Sequence, residues 1–305
     1  MAEAPNPPPA PLRPGGPGEL YVVATPIGNM EDMTGRAKRV LGEVDWVAAE
    51  DTRVARRLLG LLGLKNRVVS NHKFNEAAQA DFWLEKLEKG ESVALITDAG
   101  TPCLSDPGAW LVRAAAAKGL RVTAVAGPSA VTAAISISGF AGAAYTFYGF
   151  LPKPARAAGE ALRAASRAAV RTAVFFESPR RIAGTMDCLA AGWPAARVCL
   201  CNDLTKLHEK LYRGSPAEVA AALLANPMAE KGEYTLVVSF PAPEAEPEAD
   251  PLGLAGSPEA RLADYLARRG GTLKDAIEAL AASESGGSQR NALYAAALRM
   301  KGWFA

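Results

Sequence analysis

The chain has 305 residues, more than one hydrophobic core usually organises, so its length predicts two or more domains. Hydrophobic residues make up 49% of it, a share that excludes a mostly disordered protein. The formal net charge of +2 neither requires nor excludes a nucleic-acid partner, so the positions of the charges matter more than their sum.

The first segment, residues 1–18, is rich in proline and glycine, which remove backbone donors and resist ordering, so we expect a disordered extension. Short apolar runs and helical patterns then alternate through residues 19–126. The predicted strands cover 20–24, 46–49, 92–97 and 120–125, and the predicted helices cover 34–41, 54–62 and 108–118. Such alternation predicts an N-terminal α/β lobe built on a mostly parallel sheet with covering helices.

A second set of helices and strands begins at Gly127 and forms the predicted C-terminal α/β lobe, residues 127–240. Its predicted helices cover 131–137, 155–169, 179–191 and 216–224, and its predicted strands cover 145–150, 172–176, 196–201 and 234–240. Residues 241–257 are acidic and proline-rich, which is typical of a linker. Helical patterns without strand signals follow at 259–267, 273–281 and 289–300, so residues 258–305 are predicted to form a small helical domain.

The cysteines and the N-terminus indicate in which cellular compartment the protein is expected. Cys103, Cys188, Cys199 and Cys201 are spaced unlike a disulfide framework. Cys199 and Cys201 share one face of a predicted strand near His208, but a metal site needs more ligands at a recognisable spacing, so we expect buried thiols and no metal. The N-terminus lacks the apolar stretch of a signal peptide and no run reaches the length of a membrane span, so we expect a cytoplasmic protein.

Two loops that follow predicted strands carry an unusual density of special residues. ATPIGN, residues 24–29, places proline and glycine at a strand's carboxyl end, where ligands bind in open α/β sheets, although an ordinary β–α turn explains it equally well. DAGTPCLSDPG, residues 98–108, is more crowded than a mere connection, and its backbone groups could hydrogen-bond an amino-acid or adenine moiety. The alternative for this second loop is a rigid structural turn in which Asp106 caps the following helix.

Two further segments pair a glycine with polar residues beside a strand. In GPSA, residues 127–130, Ser129 can cap the following helix, and free N–H groups there can also bind a ligand. In KGEY, residues 231–234, the glycine precedes the last strand of the lobe and lets the chain close over a ligand.

Basic residues gather in two places. Arg53, Arg56 and Arg57 fall on one face of a predicted helix behind Asp51, which we expect to cap that helix; the face either holds phosphate or is simply solvated. Between residues 151 and 182, seven basic residues stand against two acids. The seven are Lys153, Arg156, Arg163, Arg167, Arg171, Arg180 and Arg181. A local excess of this kind attracts phosphates even when the whole chain is near neutral.

Several segments, in register, resemble those of the 16S rRNA (cytidine1402-2′-O)-methyltransferases, a family of the tetrapyrrole-methylase superfamily. They are LYVVATPIGNMEDMTGRA, AAEDTR, ALITDAGTPCLSDPG, AGPSAVTAA, FYGFLPK, FFESPRRI, LTKLHEKLYRG and KGEYTLVV. The similarity runs from about residue 20 to residue 240 and returns in RNALYAAAL, residues 290–298. Tetrapyrrole-specific members typically have Gly-Asp-Pro where this chain has Gly100, Thr101 and Pro102, and this departure favours the RNA branch.

The resemblance implies the two-lobed tetrapyrrole-methylase fold of the class III methyltransferases, an α/β fold, with a small C-terminal helical domain. It also implies S-adenosyl-L-methionine in the cleft between the two lobes, and usually a homodimer. The residues that it implies at the cofactor are Pro26, Ile27, Gly28, Gly100, Thr101, Leu104, Ser105, Ser129, Ala130, Phe176, Gly232, Glu233 and Tyr234. We add Asp98 and Asp106, because they belong to the same crowded loop.

The resemblance further implies methylation of a ribose 2′-oxygen in 16S rRNA of the 30S ribosomal subunit. The expected reaction is an in-line displacement on an already activated methyl group, so alignment in the cleft supplies much of the acceleration. A general base for the hydroxyl would add roughly 10²–10⁴-fold, and Glu50, Asp51 and Glu177 are the candidates, since each lies at a strand end. The residues expected to hold the RNA are Arg53, Arg56, Arg57, Lys153, Arg180, Arg181 and Lys231.

Two other functions are compatible with the same residues. The first is a small-molecule methylase of the same fold that acts on a precorrin or a similar macrocycle; the basic stretches weigh against it, although a polycarboxylate macrocycle also favours arginine. The second is an RNA-binding assembly factor that retains a degenerate cofactor pocket. The intact TPIGN and DAGTP loops weigh against this second function.

Overall fold

The structure, a computed structural model, describes residues 18–72, 76–140, 144–242, 257–282 and 287–301. The predicted disordered extension lies outside these ranges except for Gly18, which is buried and donates its backbone N–H to the carbonyl oxygen of Leu87. The predicted linker, residues 241–257, also lies outside them except for its first two residues and its last.

The first of two compact units, Met1–Pro241, contains two five-stranded sheets. Its strands are β1 (Glu19–Val23), β2 (Trp46–Ala49), β3 (Arg67–Ser70), β4 (Val93–Ile96), β5 (Arg121–Val125), β6 (Thr146–Phe150), β7 (Thr172–Glu177), β8 (Arg197–Asn202), β9 (Lys210–Gly214) and β10 (Tyr234–Ser239). Its α-helices are α1 (Gly35–Glu43), α2 (Thr52–Leu61), α3 (Glu76–Glu88), α4 (Ala109–Ala117), α5 (Ala130–Ser138), α6 (Ala155–Arg167), α7 (Ile182–Gly192) and α8 (Pro216–Leu224). The predicted α/β fold class is confirmed.

The first sheet has the strand order β3-β2-β4-β1-β5 and is parallel throughout. Its central strand β4 is buried at every residue, as expected where apolar clusters cover both faces of a parallel sheet. Because the strands are parallel, the residues that follow them meet at one edge of the sheet. Thr25 follows β1, Glu50 follows β2 and Asp98 follows β4 at that edge.

Three elements of this lobe were not predicted: a short 3-10 helix at Met30–Asp32, the strand β3 and the helix α3. Helix α3 buries Ala80, Trp83, Leu84 and Leu87, which is the i, i+3, i+4, i+7 spacing of an amphipathic helix, so the signal was present and was overlooked. Strand β3 is a four-residue edge strand without a fully buried side chain, so its hydrophobic pattern is weak.

The second sheet has the order β6-β7-β10-β8-β9 and is mixed, because only β6 and β7 run parallel. A mostly parallel sheet therefore occurs in the first lobe only. Strand β9, which was not predicted, pairs antiparallel with β8 after a short connection, an arrangement that needs no crossover helix. Since β10 runs against β7, the start of β10 lies at the same sheet edge as the ends of β6 and β7.

One apolar cluster joins the two lobes. Ile27 of the first lobe packs there, together with Val131 of α5, against the face of the second sheet that carries Val174, Cys199 and Val237. Both lobes thus share a buried floor, and the edges of the two sheets that carry polar loops meet above it.

The second unit, Ala242–Ala305, contains α9 (Pro258–Arg269), α10 (Leu273–Ala282) and α11 (Gly287–Lys301). Leu262, Ile277 and Leu293, one from each helix, lie in its apolar core. Arg299 on α11 donates to Glu259 on α9 at 2.7 Å. Among the residues that the structure describes, no helix of either unit is long and apolar enough to cross a membrane.

Candidate functional site

A cavity of about 530 Å³ opens between the polar edges of the two sheets. This volume is within the range of small-molecule and cofactor sites. Its lining residues are Ile27, Glu50, Thr97, Asp98, Ala99, Gly100, Thr101, Leu104, Ser105, Asp106, Ser129, Ala130, Val131, Phe150, Phe176, Glu177, Ser178, Pro179, Leu204, Gly232, Glu233, Tyr234 and Thr235. In the first lobe they follow the carboxyl ends of strands, which is where open α/β sheets bind ligands.

Backbone hydrogen bonds fix the loops of the first lobe to one another. The N–H of Thr25 donates to the carbonyl oxygen of Gly100 at 2.8 Å, and the N–H of Gly100 donates back to the carbonyl oxygen of Thr25 at 3.0 Å. The hydroxyl of Thr101 donates to the carbonyl oxygen of Pro128 at 3.1 Å, which joins the third loop. Gly100 has φ +82°, and a Cβ there would lie 3.3 Å from Cγ2 of Ile27, so a side chain at this position would strain the wall.

The crowded loop of residues 98–108 holds a conformation that its sequence does not favour. Cys103 and Ser105 adopt φ of +70° and +69°, a left-handed geometry that costs non-glycine residues of order 1–3 kcal/mol each. Oε1 of Glu76, on α3, accepts the backbone N–H of Gly108 at 3.0 Å and that of Trp110 at 2.6 Å, and so caps α4. The alternative in which Asp106 caps this helix is therefore wrong.

Asp106, which does not cap α4, lines the cavity, as do Glu50 and Asp98, whose charges act on it. Oε2 of Glu50 accepts the hydroxyl of Thr97 at 2.7 Å, and Oδ1 of Asp98 accepts the backbone N–H of Asp51 at 3.1 Å. Burial raises the pKa of Asp106 to about 6, and the neighbouring charges of Glu50 and Asp98 act in the same direction. Burial and the charge of Glu50 also raise the pKa of Asp98.

Asp51 and Glu177, which the sequence analysis named with Glu50 as candidate bases, both make structural contacts. Asp51 caps α2 by accepting the backbone N–H of Arg53 at 2.7 Å, as predicted, and does not line the cavity. Glu177 lines the cavity, yet its side chain is fully buried and accepts the backbone N–H of Ser178 at 2.7 Å and the hydroxyl of Thr185 at 3.0 Å. A guanidinium nitrogen of Arg181 lies 3.2 Å from the same carboxylate.

Most residues predicted at the cofactor lie where the sequence analysis expected a ligand. All of them except Pro26 and Gly28 line the cavity. Gly28 instead lies against the second lobe, where a Cβ would come 2.3 Å from Cγ of Lys206. The side chain of Ser129, at the N-cap of α5, makes no capping hydrogen bond, so the proposed capping role of this serine is wrong.

Lys206 does not line the cavity but pairs with a residue that does, a contact that sequence reasoning missed. Its ammonium group lies 2.7 Å from Asp203 and 2.9 Å from Glu233, and Glu233 lines the cavity. Gly232, at φ +84°, leaves no room for a side chain, because a Cβ would lie 2.1 Å from Oδ2 of Asp203. The motif LTKLHEK contains this lysine, but nothing in the motif indicates that its partners lie on a later loop.

Other lining residues that the sequence analysis did not single out are Thr97, Ala99, Val131, Phe150, Ser178, Pro179, Leu204 and Thr235. Most of them adjoin a predicted residue along the chain, so extending each motif by one or two positions would have found them. Phe150 and Leu204 belong to the segments FYGFLPK and LTKLHEKLYRG that carry the resemblance, but only the packing of the lobes shows that they line the cavity.

None of the predicted RNA-binding residues lines the cavity, but most of them lie close in sequence to residues that do. Arg53, Lys153, Arg180 and Lys231 are exposed, and each lies within three residues of a residue that lines the cavity. Arg181 differs, because its guanidinium donates to the carbonyl oxygens of Leu151 and Pro152 as well as pairing with Glu177, which gives it a structural role.

The exposed basic faces are only partly compensated by acids. Arg53 pairs with the carboxylate of Asp51 at 2.6 Å, while Arg56 and Arg57 are exposed further along α2. On α6, Arg156 pairs with Glu160, and the buried residues of that helix lie on the opposite face from its arginines.

The cysteine pair of β8 is part of the interlobe core. Cys199 and Cys201 are fully buried, as predicted, and Cys103 and Cys188 are half-buried. Within the described ranges, no group of three or more histidine, cysteine or acidic side chains is arranged to hold a metal ion.

Comparisons with known proteins agree with this architecture. Residues 19–220 match the family model of the Tetrapyrrole (Corrin/Porphyrin) Methylases. The chain is 41% identical over 223 residues to "Ribosomal RNA small subunit methyltransferase I" of Xylella fastidiosa, covering 73% of this chain and 81% of the relative. It is 37% identical over 287 residues to the protein of that name from Escherichia coli O157:H7, covering 93% and 96%.

Solved structures show the same fold at lower identity. Uroporphyrin-III C-methyl transferase from Thermus thermophilus, complexed with S-adenyl homocysteine, superposes with a TM-score of 0.52 at 20% identity, covering 73% of this chain and 97% of that one. The chain is therefore a methyltransferase of the tetrapyrrole (corrin/porphyrin) methylase family.

Proposed function

We propose that this chain methylates the ribose 2′-oxygen of a cytidine, that at position 1402, in 16S rRNA of the small ribosomal subunit. By family the chain is a methyltransferase, and its methyl donor is S-adenosyl-L-methionine. The observation that supports an RNA substrate is that Arg53, Lys153, Arg180 and Lys231 are exposed and lie within three positions of cavity-lining residues along the chain. The relatives at 37–41% identity are named as ribosomal RNA methyltransferases, whereas the macrocycle enzymes share only about a fifth of their residues with this chain.

The cavity has the chemistry that this cofactor requires. Apolar side chains such as Ile27, Val131 and Phe176 offer an aromatic moiety a dry wall. The carboxylates of Glu50, Asp98 and Asp106 complement positive charge. When bound, S-adenosyl-L-methionine supplies a methyl group on a positively charged sulfonium, and we propose that lining residues of both lobes hold it.

Asp106 is the side chain that we assign to proton removal. A catalytic base works best when its pKa lies near the working pH, and burial together with the charges of Glu50 and Asp98 raises the pKa of Asp106 to about 6. Glu177 and Asp51 are engaged by backbone donors, as described above, whereas Asp106 lies in the cavity wall beside the hydroxyl of Thr97, with its helix already capped by Glu76. Glu50, the third candidate, also lines the cavity and accepts the hydroxyl of Thr97 at 2.7 Å. Asp106 accepts the proton of the 2′-hydroxyl while that oxygen takes up the methyl group.

Transfer of a labelled methyl group tests the proposed function directly. With radiolabelled S-adenosyl-L-methionine, we expect label on 30S subunits that lack the modification and none on uroporphyrinogen III. Mapping should place a single 2′-O-methyl group on a cytidine of 16S rRNA. Labelling of the macrocycle alone would contradict the proposal, and absence of cofactor binding in calorimetry would exclude both enzymes.

The dependence of RNA binding on salt tests the basic faces. Each phosphate contact to a single strand contributes about −0.7 to the log–log slope, so about four contacts predict a slope of roughly −3. The double variant Arg56→Ala/Arg57→Ala should flatten the slope by about one unit, while its affinity for S-adenosyl-L-methionine is unchanged.

The double variant Arg113→Ala/Lys118→Ala is the matched control, since it removes two exposed cations at α4. It should leave the slope unchanged. If Arg56→Ala/Arg57→Ala loses self-association in sedimentation and keeps the slope, these arginines serve a subunit contact and not the RNA.

Four further expectations about this protein are also proposals. We propose a homodimer, a cytoplasmic location, the 30S subunit as the partner, and a separate helical domain at residues 258–305. The last is supported by the compact second unit, which has its own apolar core.

A further inference from the structure

Phe150 is a large apolar side chain that lines the cavity and yet remains 59% exposed. Single exposed hydrophobic residues are common and need no explanation by themselves. This one differs because its backbone is shaped to present it. It ends β6, an edge strand of the second sheet.

A β-bulge turns Phe150 toward the cavity. Phe147 pairs with Val174 and Phe150 with Phe176, so β6 holds one residue more than β7 over this stretch. Gly149 lies in the bulge at φ +72°, a conformation that glycine adopts at no steric cost. Bulges of this kind re-aim a side chain and are frequent beside active sites.

The same bulge brings β6 against the loop of the first lobe. A Cβ at Gly149 would lie 2.8 Å from the hydroxyl oxygen of Ser105, so the glycine lets the two segments approach without displacing that serine. Ser105 itself has φ +69°. Two unusual backbone conformations, one from each lobe, thus meet beside Phe150.

Phe176 supports the ring of Phe150 from below. Their ring centroids are 5.4 Å apart at an interplanar angle of 61°, an edge-to-face arrangement, and Phe147 makes a similar contact with Phe176 at 4.9 Å. The half-buried Phe176 and the exposed Phe150 therefore form a step from the interior of the cavity to its rim.

The surroundings of the rim indicate what stacks there. A cofactor is mostly buried when bound and so takes the interior, which leaves a rim residue for the acceptor. Lys153, three residues further on, is exposed and offers a charge for a phosphate. A ribose can reach into such a cavity only if its nucleotide leaves the helical stack, and an unstacked base gains most from an aromatic face.

We propose that Phe150 is the stacking platform for the base of the nucleotide whose ribose is methylated. This inference rests on the proposed function and adds to it how the target nucleotide is held out of its stack. Bases stack on aromatic side chains irrespective of sequence, so Phe150 contributes affinity and position, and other contacts choose the cytidine.

Steady-state methylation of unmodified 30S subunits tests this role. Phe150→Ala should raise KM for the subunit about tenfold, the lower range of a lost stack, and Phe150→Trp should restore KM to within about twofold of the wild type. The affinity for S-adenosyl-L-methionine, measured by calorimetry, should stay unchanged in both variants. Trp110→Ala, which removes a 49% exposed aromatic residue outside the cavity, should match the wild type.

Each other outcome has a definite meaning. An unchanged KM in Phe150→Ala, with active wild-type enzyme, overturns the stacking role and leaves the proposed function standing. A loss of cofactor affinity equal to the rise in KM overturns it as well, because Phe150 would then contact the cofactor. If the wild type transfers no methyl group to 30S subunits, the proposed function fails and the stacking role fails with it.

Discussion

Replacing Asp106 with asparagine should lower kcat for methylation of 30S subunits by about 10²–10⁴-fold, the contribution of a general base. Asparagine keeps the size of the side chain but cannot accept the proton of the ribose hydroxyl. In the wild type, kcat/KM should rise with pH through about 6, because burial and the charges of Glu50 and Asp98 raise the pKa of Asp106 to about 6 and only the ionised form is a base. In the variant, kcat/KM should no longer show this rise with pH, the acid limb of the pH profile.

Asp98→Asn is the matched control for this experiment. The charge of Asp98 raises the pKa of Asp106, so its removal should move the acid limb to lower pH and keep its shape. The charge of Glu233 also faces Asp106 and acts in the same direction. If Asp106→Asn keeps kcat and the acid limb but binds S-adenosyl-L-methionine more weakly, Asp106 is the cofactor contact that the sequence analysis expected, and not the base.

Replacing Glu177 with alanine should lower the free energy of unfolding by about 3–5 kcal/mol, as when one partner of a buried ion pair is removed. The fully buried carboxylate of Glu177 satisfies Thr185, the backbone of Ser178 and the guanidinium of Arg181. Urea unfolding followed by circular dichroism measures the change. For a protein of ordinary stability, such a loss is a large share of the total.

Glu160→Ala provides the comparison, because Glu160 pairs with Arg156 at the same i, i+4 spacing but on an exposed helix face. Exposed pairs contribute about 0–1 kcal/mol, so this variant should be nearly as stable as the wild type. A second variant, Glu177→Gln, separates stability from chemistry. If Glu177→Gln unfolds like the wild type and loses its methylation activity, Glu177 is the base and our assignment of Asp106 is wrong.

The sequence alone was sufficient for the fold class and for most of the cavity wall. Apolar runs that alternate with helical patterns imply a layered α/β protein, because each run must be buried. The resemblance to the methylase family implied that the loops TPIGN, DAGTPCLSDPG and GPSA surround one ligand, and in a parallel sheet the carboxyl ends of the strands share one edge.

Roles that depend on partners distant along the chain were decided only by the tertiary structure. Glu50 and Glu177 both carry carboxylates at strand ends, and nothing local separates their roles. Glu76 lies 30 residues before Asp106 in sequence, yet it caps α4 and leaves Asp106 in the cavity wall. Arg181 was expected at the RNA but is held by the carbonyl oxygens of Leu151 and Pro152.

The mixed second sheet and the exposure of Phe150 were also decided only by the tertiary structure. Strand direction depends on which strands pair, and the pairing of β10 between β7 and β8 joins segments far apart along the chain. The exposure of Phe150 follows from a bulge, since one extra residue in β6 changes the direction of a side chain without changing the hydrophobic pattern. Local sequence patterns therefore determined most of the elements and their order, whereas long-range packing decided which carboxylates line the cavity and which aromatic ring stands at its rim.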